Sequence, residues 1–200
     1  MNSEPEEIKV ILVGEAATGK TSLINTSVGI PFKEEMISSS TNSFALKEFI
    51  VGEKKYVLNL WDTIGQEKFR SLTTIFMKNS KIVVFVYDIT RKKTFEELNY
   101  WIDTINDNLK DEAILGIAGN KQDLMNKCEV KEEVAKKFAK EKQIYFQLTS
   151  AKNPKTFEKL LEQLLIKYIE KHEDVINTDN GGIKIGESDL KEQKNQKKCC

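Results

Sequence analysis

The residues Gly14-Glu15-Ala16-Ala17-Thr18-Gly19-Lys20-Thr21 fit the spacing G-x-x-x-x-G-K-[ST]. Such a loop turns its backbone N–H groups inward. Together with the N-terminus of a following helix they cradle phosphate oxygens. Glu15, Ala16, Ala17, Thr18 and Gly19 would form the cradle, and Ser22 would follow in the first helical turn. Lys20 would neutralise β- and γ-phosphates, and the Thr21 hydroxyl would bind Mg²⁺. An ordinary glycine turn is the alternative, and context argues against it. Lys9 to Val13 reads as a buried strand and Lys20 to Val28 as a helix. Strand, glycine loop, helix is the order that a phosphate-binding turn needs.

Trp61-Asp62-Thr63-Ile64-Gly65-Gln66 follows another apolar stretch. An Asp at the carboxyl end of a strand beside such a loop can hold Mg²⁺ through water, so Asp62 joins Thr21 as a metal candidate. Gly65 lets the backbone approach the γ-phosphate, and Gln66 can orient an attacking water as the catalytic residue. Asn120-Lys121-Gln122-Asp123 closes a further stretch. The Asp123 carboxylate can accept from guanine N1–H and the exocyclic amine. Adenine presents no such donor pair and would leave the carboxylate unpaired, which is how a polar site gains large discrimination. Asn120 can brace the loop, and the Lys121 stem can cover the base. In Thr149-Ser150-Ala151-Lys152 a backbone N–H can reach guanine O6. Each short pattern alone would be a solvated turn. Their force comes from following strands downstream of the phosphate loop.

The elements that must position these residues are legible. Phe44 to Val51 and Lys55 to Trp61, separated by Gly52-Glu53-Lys54, suggest a hairpin. Ile82 to Asp88 and Ile114 to Asn120 are compact apolar runs, as expected of strands buried on both faces. Between them Phe95, Leu98, Trp101, Ile102, Ile105 and Leu109 mark one face of a helix, with Thr94 and Glu97 spaced as a capping box. Val130 to Glu141 reads as a helix and Ile144 to Thr149 as a final strand. Asn153 and Pro154 are suited to start the last helix, whose apolar face runs from Phe157 to Ile169. Strands alternating with helices imply a mostly parallel sheet with helices on both faces, the hairpin making one edge strand antiparallel. Residues 1–172 are expected to form one domain. Residues 173–200 are rich in Asn, Asp, Gly, Lys and Gln, lose the period, and read as a disordered tail.

Composition bounds the function. The chain has 200 residues, 40% of them hydrophobic, which suffices for one full core. Its formal net charge is zero, which argues against a nucleic-acid binder working by bulk charge. Three cysteines, Cys128, Cys199 and Cys200, make no disulfide framework and suit a reducing compartment. The acidic start shows no secretory signal, and no apolar run is long enough to span a bilayer.

The four motifs in this order resemble those of the Ras superfamily of small GTPases. Trp61 to Thr73 (WDTIGQEKFRSLT), Val83 to Thr90 (VVFVYDIT) and the Cys199-Cys200 end point to the Rab branch. The resemblance covers about residues 8 to 172 and the terminal cysteines. It implies a P-loop small-GTPase α/β fold with a six-stranded sheet, and a GTP/GDP switch with Mg²⁺. The implied partners are an exchange factor, a GTPase-activating protein, effectors, an escort protein and a dissociation inhibitor. It further implies a monomer on the cytoplasmic face of an intracellular membrane, cycling with cytosol. Phe44, Trp61 and Phe76 match the aromatic triad presented to effectors; filling the core is the plainer alternative. Cys199 and Cys200 match a geranylgeranylation pair, and Lys191, Lys194, Lys197 and Lys198 against Glu192 could assist at an anionic leaflet.

Three departures from the family pattern stand out. The switch I loop lacks the expected Thr. The aromatic seven residues before it and the Phe five residues after it match Phe32 and Phe44 only if Ser39 is the Mg²⁺ ligand, which puts Thr41 where the family has Gly. Ile64 replaces a small residue before Gly65, and Ala17 replaces a common Gly. These put the speed of hydrolysis in doubt and leave nucleotide binding untouched, so a slow GTPase is expected. A GTP-binding scaffold that hardly hydrolyses is the alternative; an adenine-specific ATPase is disfavoured by Asn120 to Asp123. Arg70 and Arg91 lie outside the phosphate motifs, so no internal arginine finger is expected.

Overall fold

The computed structural model describes residues 4–33, 44–62, 77–109 and 112–179. Six strands form one sheet: β1 (Glu6–Val13), β2 (Phe44–Val51), β3 (Lys54–Asp62), β4 (Ile82–Asp88), β5 (Ile114–Asn120) and β6 (Tyr145–Leu148). Their order is β2-β3-β1-β4-β5-β6. β1 pairs parallel with β3 and β4, β4 with β5, and β5 with β6. β2 is antiparallel to β3 at the edge, joined through Gly52 at φ +61°. This is the sheet that the alternation of motifs implies. β4 is buried along its whole length, which explains why it reads as an unbroken apolar run rather than an alternating one.

The helices are α1 (Lys20–Ser27), α2 (Lys92–Glu96), α3 (Leu98–Leu109), α4 (Glu132–Glu141) and α5 (Pro154–Asp179), with a 3₁₀ helix over Gln122–Lys127. Ile11, Val13, Val83, Phe85, Tyr87 and Ile117 form a core with the buried faces of α3 and α4. Successive strand residues point to opposite faces. Gly116 therefore opens on the other side, where a Cβ would meet Leu164 of α5 at 2.6 Å. Helices cover both faces. Phe157, Leu160, Leu161, Leu164 and Leu165 are buried, each contributing about 1.5–3 kcal/mol of transfer free energy.

One local expectation is corrected. Thr94 and Glu97 do not cap a helix start. α2 begins at Lys92, and the Thr94 hydroxyl lies inside it, accepting from the Asp88 N–H (3.0 Å) and donating to the Arg91 carbonyl (2.7 Å). The end of β4 presents a buried N–H nearby, and the hydroxyl satisfies that group instead of a helix donor. The chain divides into two compact units, Met1–Tyr168 and Ile169–Cys200. In the second, the described residues are the C-terminal part of α5, which runs to Asp179, so the irregular stretch expected from residue 173 onward is helical over 173–179. Among the described residues no helix is long and apolar enough to cross a membrane.

Candidate functional site

The parallel strands end at one edge of the sheet, and the motif residues follow them there. β1 ends at Val13, and Gly14 (φ +141°) lies so close to β4 that a Cβ would run into the Val86 carbonyl. Gly19 (φ +94°) stands against the Asn120 side chain and caps α1 with no side chain of its own. Space over the first turn of a helix is where an anion binds. Between the two glycines Ala17 adopts φ +57°, a left-handed conformation in a residue with a Cβ. Lys20 is buried, its ammonium donating to the carbonyls of Gly14 (2.8 Å) and Glu15 (2.9 Å). The Thr18 hydroxyl donates to the Glu15 carbonyl (3.0 Å). Ser22 is half-buried in the first turn of α1.

At the end of β3, the buried Asp62 carboxylate accepts a hydrogen bond from the Thr21 hydroxyl. One neutral and one anionic oxygen thus meet beside Lys20. Hard oxygen donors few in number suit Mg²⁺, which keeps waters and substrate phosphate oxygens as its other ligands. The residues present fit that ion.

The second half of the site is built on β5 and β6. Asn120 is buried, and its amide donates to the Thr18 carbonyl (2.8 Å), which ties the end of β5 to the glycine loop. The Asp123 carboxylate accepts from the Ser150 hydroxyl (2.6 Å) and lies 3.6 Å from the Lys152 ammonium. The Lys152 ammonium also sits 5.4 Å from the ring centre of Phe32, which is partly exposed. Three segments far apart in sequence therefore flank one carboxylate and one aromatic ring. Of the backbone N–H groups in Ser150-Ala151-Lys152, that of Ser150 is taken by the Thr156 hydroxyl and that of Lys152 by the Ser150 hydroxyl. The Ala151 N–H donates to no other group among the described residues.

Asp88 and Arg91 join these residues in space, although the sequence assigns neither a role among them. Asp88 ends β4 in register with Asn120 and is buried. Its carboxylate binds the Lys121 ammonium (2.6 Å) and the Arg91 Nε (2.9 Å), and accepts from the Thr90 hydroxyl and N–H. Burial pushes the Asp88 carboxyl up, but hydrogen bonds from Lys121 and Thr90 and the Lys121 charge outweigh it and hold the group below its ordinary value. Lys121 takes φ +69°, and its ammonium is anchored on Asp88. Arg91 also reaches the glycine loop, where its Nη2 donates to the Ala16 carbonyl (2.8 Å). Sequence reasoning sets Arg91 outside the phosphate motifs; in space it touches one of them. A carboxylate at the end of a strand neighbouring Asn120 was the available signal. The Trp101 indole N–H donates to Glu15 on the same loop (3.3 Å).

Phe44 and Trp61 are cross-strand partners with ring centres 5.0 Å apart. Phe44 is about half exposed, while Trp61 packs partly against the core, with the Lys9 ammonium over its ring. Ser39, Thr41, Ile64, Gly65, Gln66, Phe76, Cys199 and Cys200 lie outside the described residues.

Comparison with known proteins agrees with this architecture. A model of the Ras family matches residues 9–170. Ras-related protein Rab-31 from Rattus norvegicus is 33% identical, over 97% of this chain and 97% of its own length. Ras-related protein Rab-13 from Canis lupus familiaris is 34% identical, over 96% of this chain and 94% of its own. Ras-related protein SEC4 from Saccharomyces cerevisiae is 36% identical, over 73% of this chain and 67% of its own.

Proposed function

This chain belongs to the Ras family, in its Rab branch of small GTPases, and from that premise we propose how its residues work as a GTP-binding switch in vesicle traffic. The observation that carries the assignment of roles is one convergence. Lys20, Thr21 and Asp62 meet over the glycine loop, and Asp123, Ser150, Lys152 and Phe32 meet beside it, with Asn120 bonded to the Thr18 carbonyl of that loop. Glu15 to Thr21 and Ser22 take the phosphates. Asp123, held by the Ser150 hydroxyl, pairs with guanine. The Ala151 N–H is left to meet O6, and the Phe32 ring and Lys121 stem cover the base.

Thr21, Asp62 and, in the GTP state, Ser39 would hold Mg²⁺, which when bound neutralises charge developing on the phosphate oxygens. Gln66 orients the attacking water, and Gly65 approaches the γ-phosphate. Hydrolysis then depends on positioning and electrostatics, with little acid–base work by the protein. Ser39, Thr41, Ile64 and Ala17 motivate a slow intrinsic rate, since a small displacement of a water-positioning group can cost on the order of 100-fold. Phe44, Trp61 and Phe76 form the effector surface. Exchange factors and GTPase-activating proteins drive the cycle. Geranylgeranyl chains on Cys199 and Cys200 hold the monomer on the cytoplasmic face of an intracellular membrane, and an escort protein and a dissociation inhibitor handle the lipidated form. The domain that does this work is residues 1–172, and residues 173–200 serve as its tether.

The test is to release and identify the nucleotide that co-purifies with the protein, then to follow single-turnover hydrolysis of GTP. Bound GDP or GTP and a slow, Mg²⁺-dependent release of phosphate are expected. A protein that carries no guanine nucleotide and cannot be loaded with one would refute the reading.

A further inference from the structure

We propose that Arg91 is a positioning residue for the phosphate loop, setting affinity for the nucleotide's terminal phosphates through the Ala16 carbonyl. The inference rests on the nucleotide-binding reading above and goes beyond it. Its ground is a chain of contacts. The Arg91 guanidinium bonds at one end to the Asp88 carboxylate (Nε, 2.9 Å) and at the other to the Ala16 carbonyl (Nη2, 2.8 Å). Asp88 is buried and bound by Lys121 as well, so the anchor end cannot drift. The planar guanidinium then fixes the direction of its second bond, which a flexible ammonium would not do.

What that bond holds is the peptide between Ala16 and Ala17. In a trans peptide the C=O and the following N–H point opposite ways. A carbonyl turned to Arg91 turns the Ala17 N–H away from it. Ala17 itself sits at φ +57°, a conformation a residue with a Cβ leaves readily unless it is held. Arg91 is the side chain outside the loop that grips this peptide among the described residues. By holding it, Arg91 keeps the Ala17 N–H oriented as a phosphate donor. Lys121, on the same Asp88, couples the phosphate half of the site to the base half.

Arg91 is partly exposed, so its replacement leaves no cavity in the core. Dissociation of fluorescent GDP from Mg²⁺-loaded protein is measured for wild type, Arg91→Ala and Arg91→Lys, with far-UV circular dichroism as a check on folding. Competition then gives the affinities for GDP and GMP. Arg91→Ala is expected to release GDP about tenfold faster, the size of one charge-assisted hydrogen bond at a half-exposed site. Arg91→Lys should fall between, since an ammonium can serve one end of the bridge but not fix both. The preference for GDP over GMP should drop by about the same factor, because GMP lacks the phosphate that the loop grips. A merely structural brace would weaken GDP and GMP equally, and that result would overturn the proposal. So would an Arg91→Ala off-rate within twofold of wild type. A wild type that binds no GDP would instead bring down the functional reading, and this inference with it.

Discussion

Replacing Ala17 with glycine should stabilise the protein. Ala17 lies at φ +57°, whereas Ala16, its neighbour in the same loop, has no positive φ. The left-handed region costs an L-residue about 1–2 kcal/mol, because the Cβ crowds the following carbonyl. Glycine escapes that cost but loses about 0.5–1 kcal/mol more in backbone entropy on folding. The difference leaves Ala17→Gly ahead by about 0.5–1 kcal/mol. For a domain of this size that raises the melting temperature by about 1–4 °C. Ala16→Gly supplies the control. There only the entropy term operates, and stability should fall by about 0.5–1 kcal/mol. Both variants are melted beside wild type at one fixed excess of GDP and Mg²⁺, since bound ligand moves the midpoint by mass action. Opposite shifts at two adjacent alanines are expected. If Ala17→Gly melts at or below wild type, or both variants shift the same way, the left-handed backbone is not the strained point of the loop.

The Tyr87 hydroxyl is buried and has no hydrogen-bond partner among the described residues, so Tyr87→Phe should leave stability unchanged or raise it by about 1 kcal/mol in urea denaturation. Asp88 has a folded pKa below its unfolded value, so its contribution is complete above about pH 4 and is lost as pH falls through the folded value. Asp88→Asn should therefore lower stability at pH 7 and flatten the loss below about pH 4, read as denaturation midpoints from neutral pH down through that region. Thr21→Asn trades a compact hydroxyl that bonds Asp62 for a bulkier amide. Wild-type GTP release should accelerate on chelating Mg²⁺, while this variant should release quickly with or without the chelator.

The fold was legible because its signals are local. The unbroken run of β4, the hairpin turn at Gly52 and Pro154 at the start of α5 each act on their own segment, and each appears where the residues indicate. The same holds for the placement of the short motifs: Asp62 and Asn120 end strands, Gly14 directly follows one, Lys20 and Thr21 open α1, and Asp123 lies in the 3₁₀ helix just after β5. Asp88 and Arg91 were not legible, because their roles lie in contacts that span from β4 to the glycine loop and to Lys121. Thr94 misled for a related reason. Its spacing to Glu97 matches a helix cap, but a strand end nearby offered its hydroxyl a buried N–H. Which N–H of Ser150-Ala151-Lys152 remains open likewise depends on Thr156 and on the Ser150 side chain, and sequence leaves all three equivalent.

The most direct test of the account is competition between GTP and ATP for the wild-type site, repeated with Asp123→Asn. Asp123 is held by Ser150 and flanked by Lys152, where a guanine edge would pair with it and an adenine edge would not. The account predicts that wild type prefers GTP by about 10⁴-fold or more, the scale on which a polar site rejects a ligand that leaves its groups unpaired. It also predicts that Asp123→Asn loses most of that affinity and gains affinity for xanthosine triphosphate, whose O2 can accept from the new amide. Comparable binding of GTP and ATP by the wild type, or an Asp123→Asn variant that keeps its GTP affinity, would contradict it.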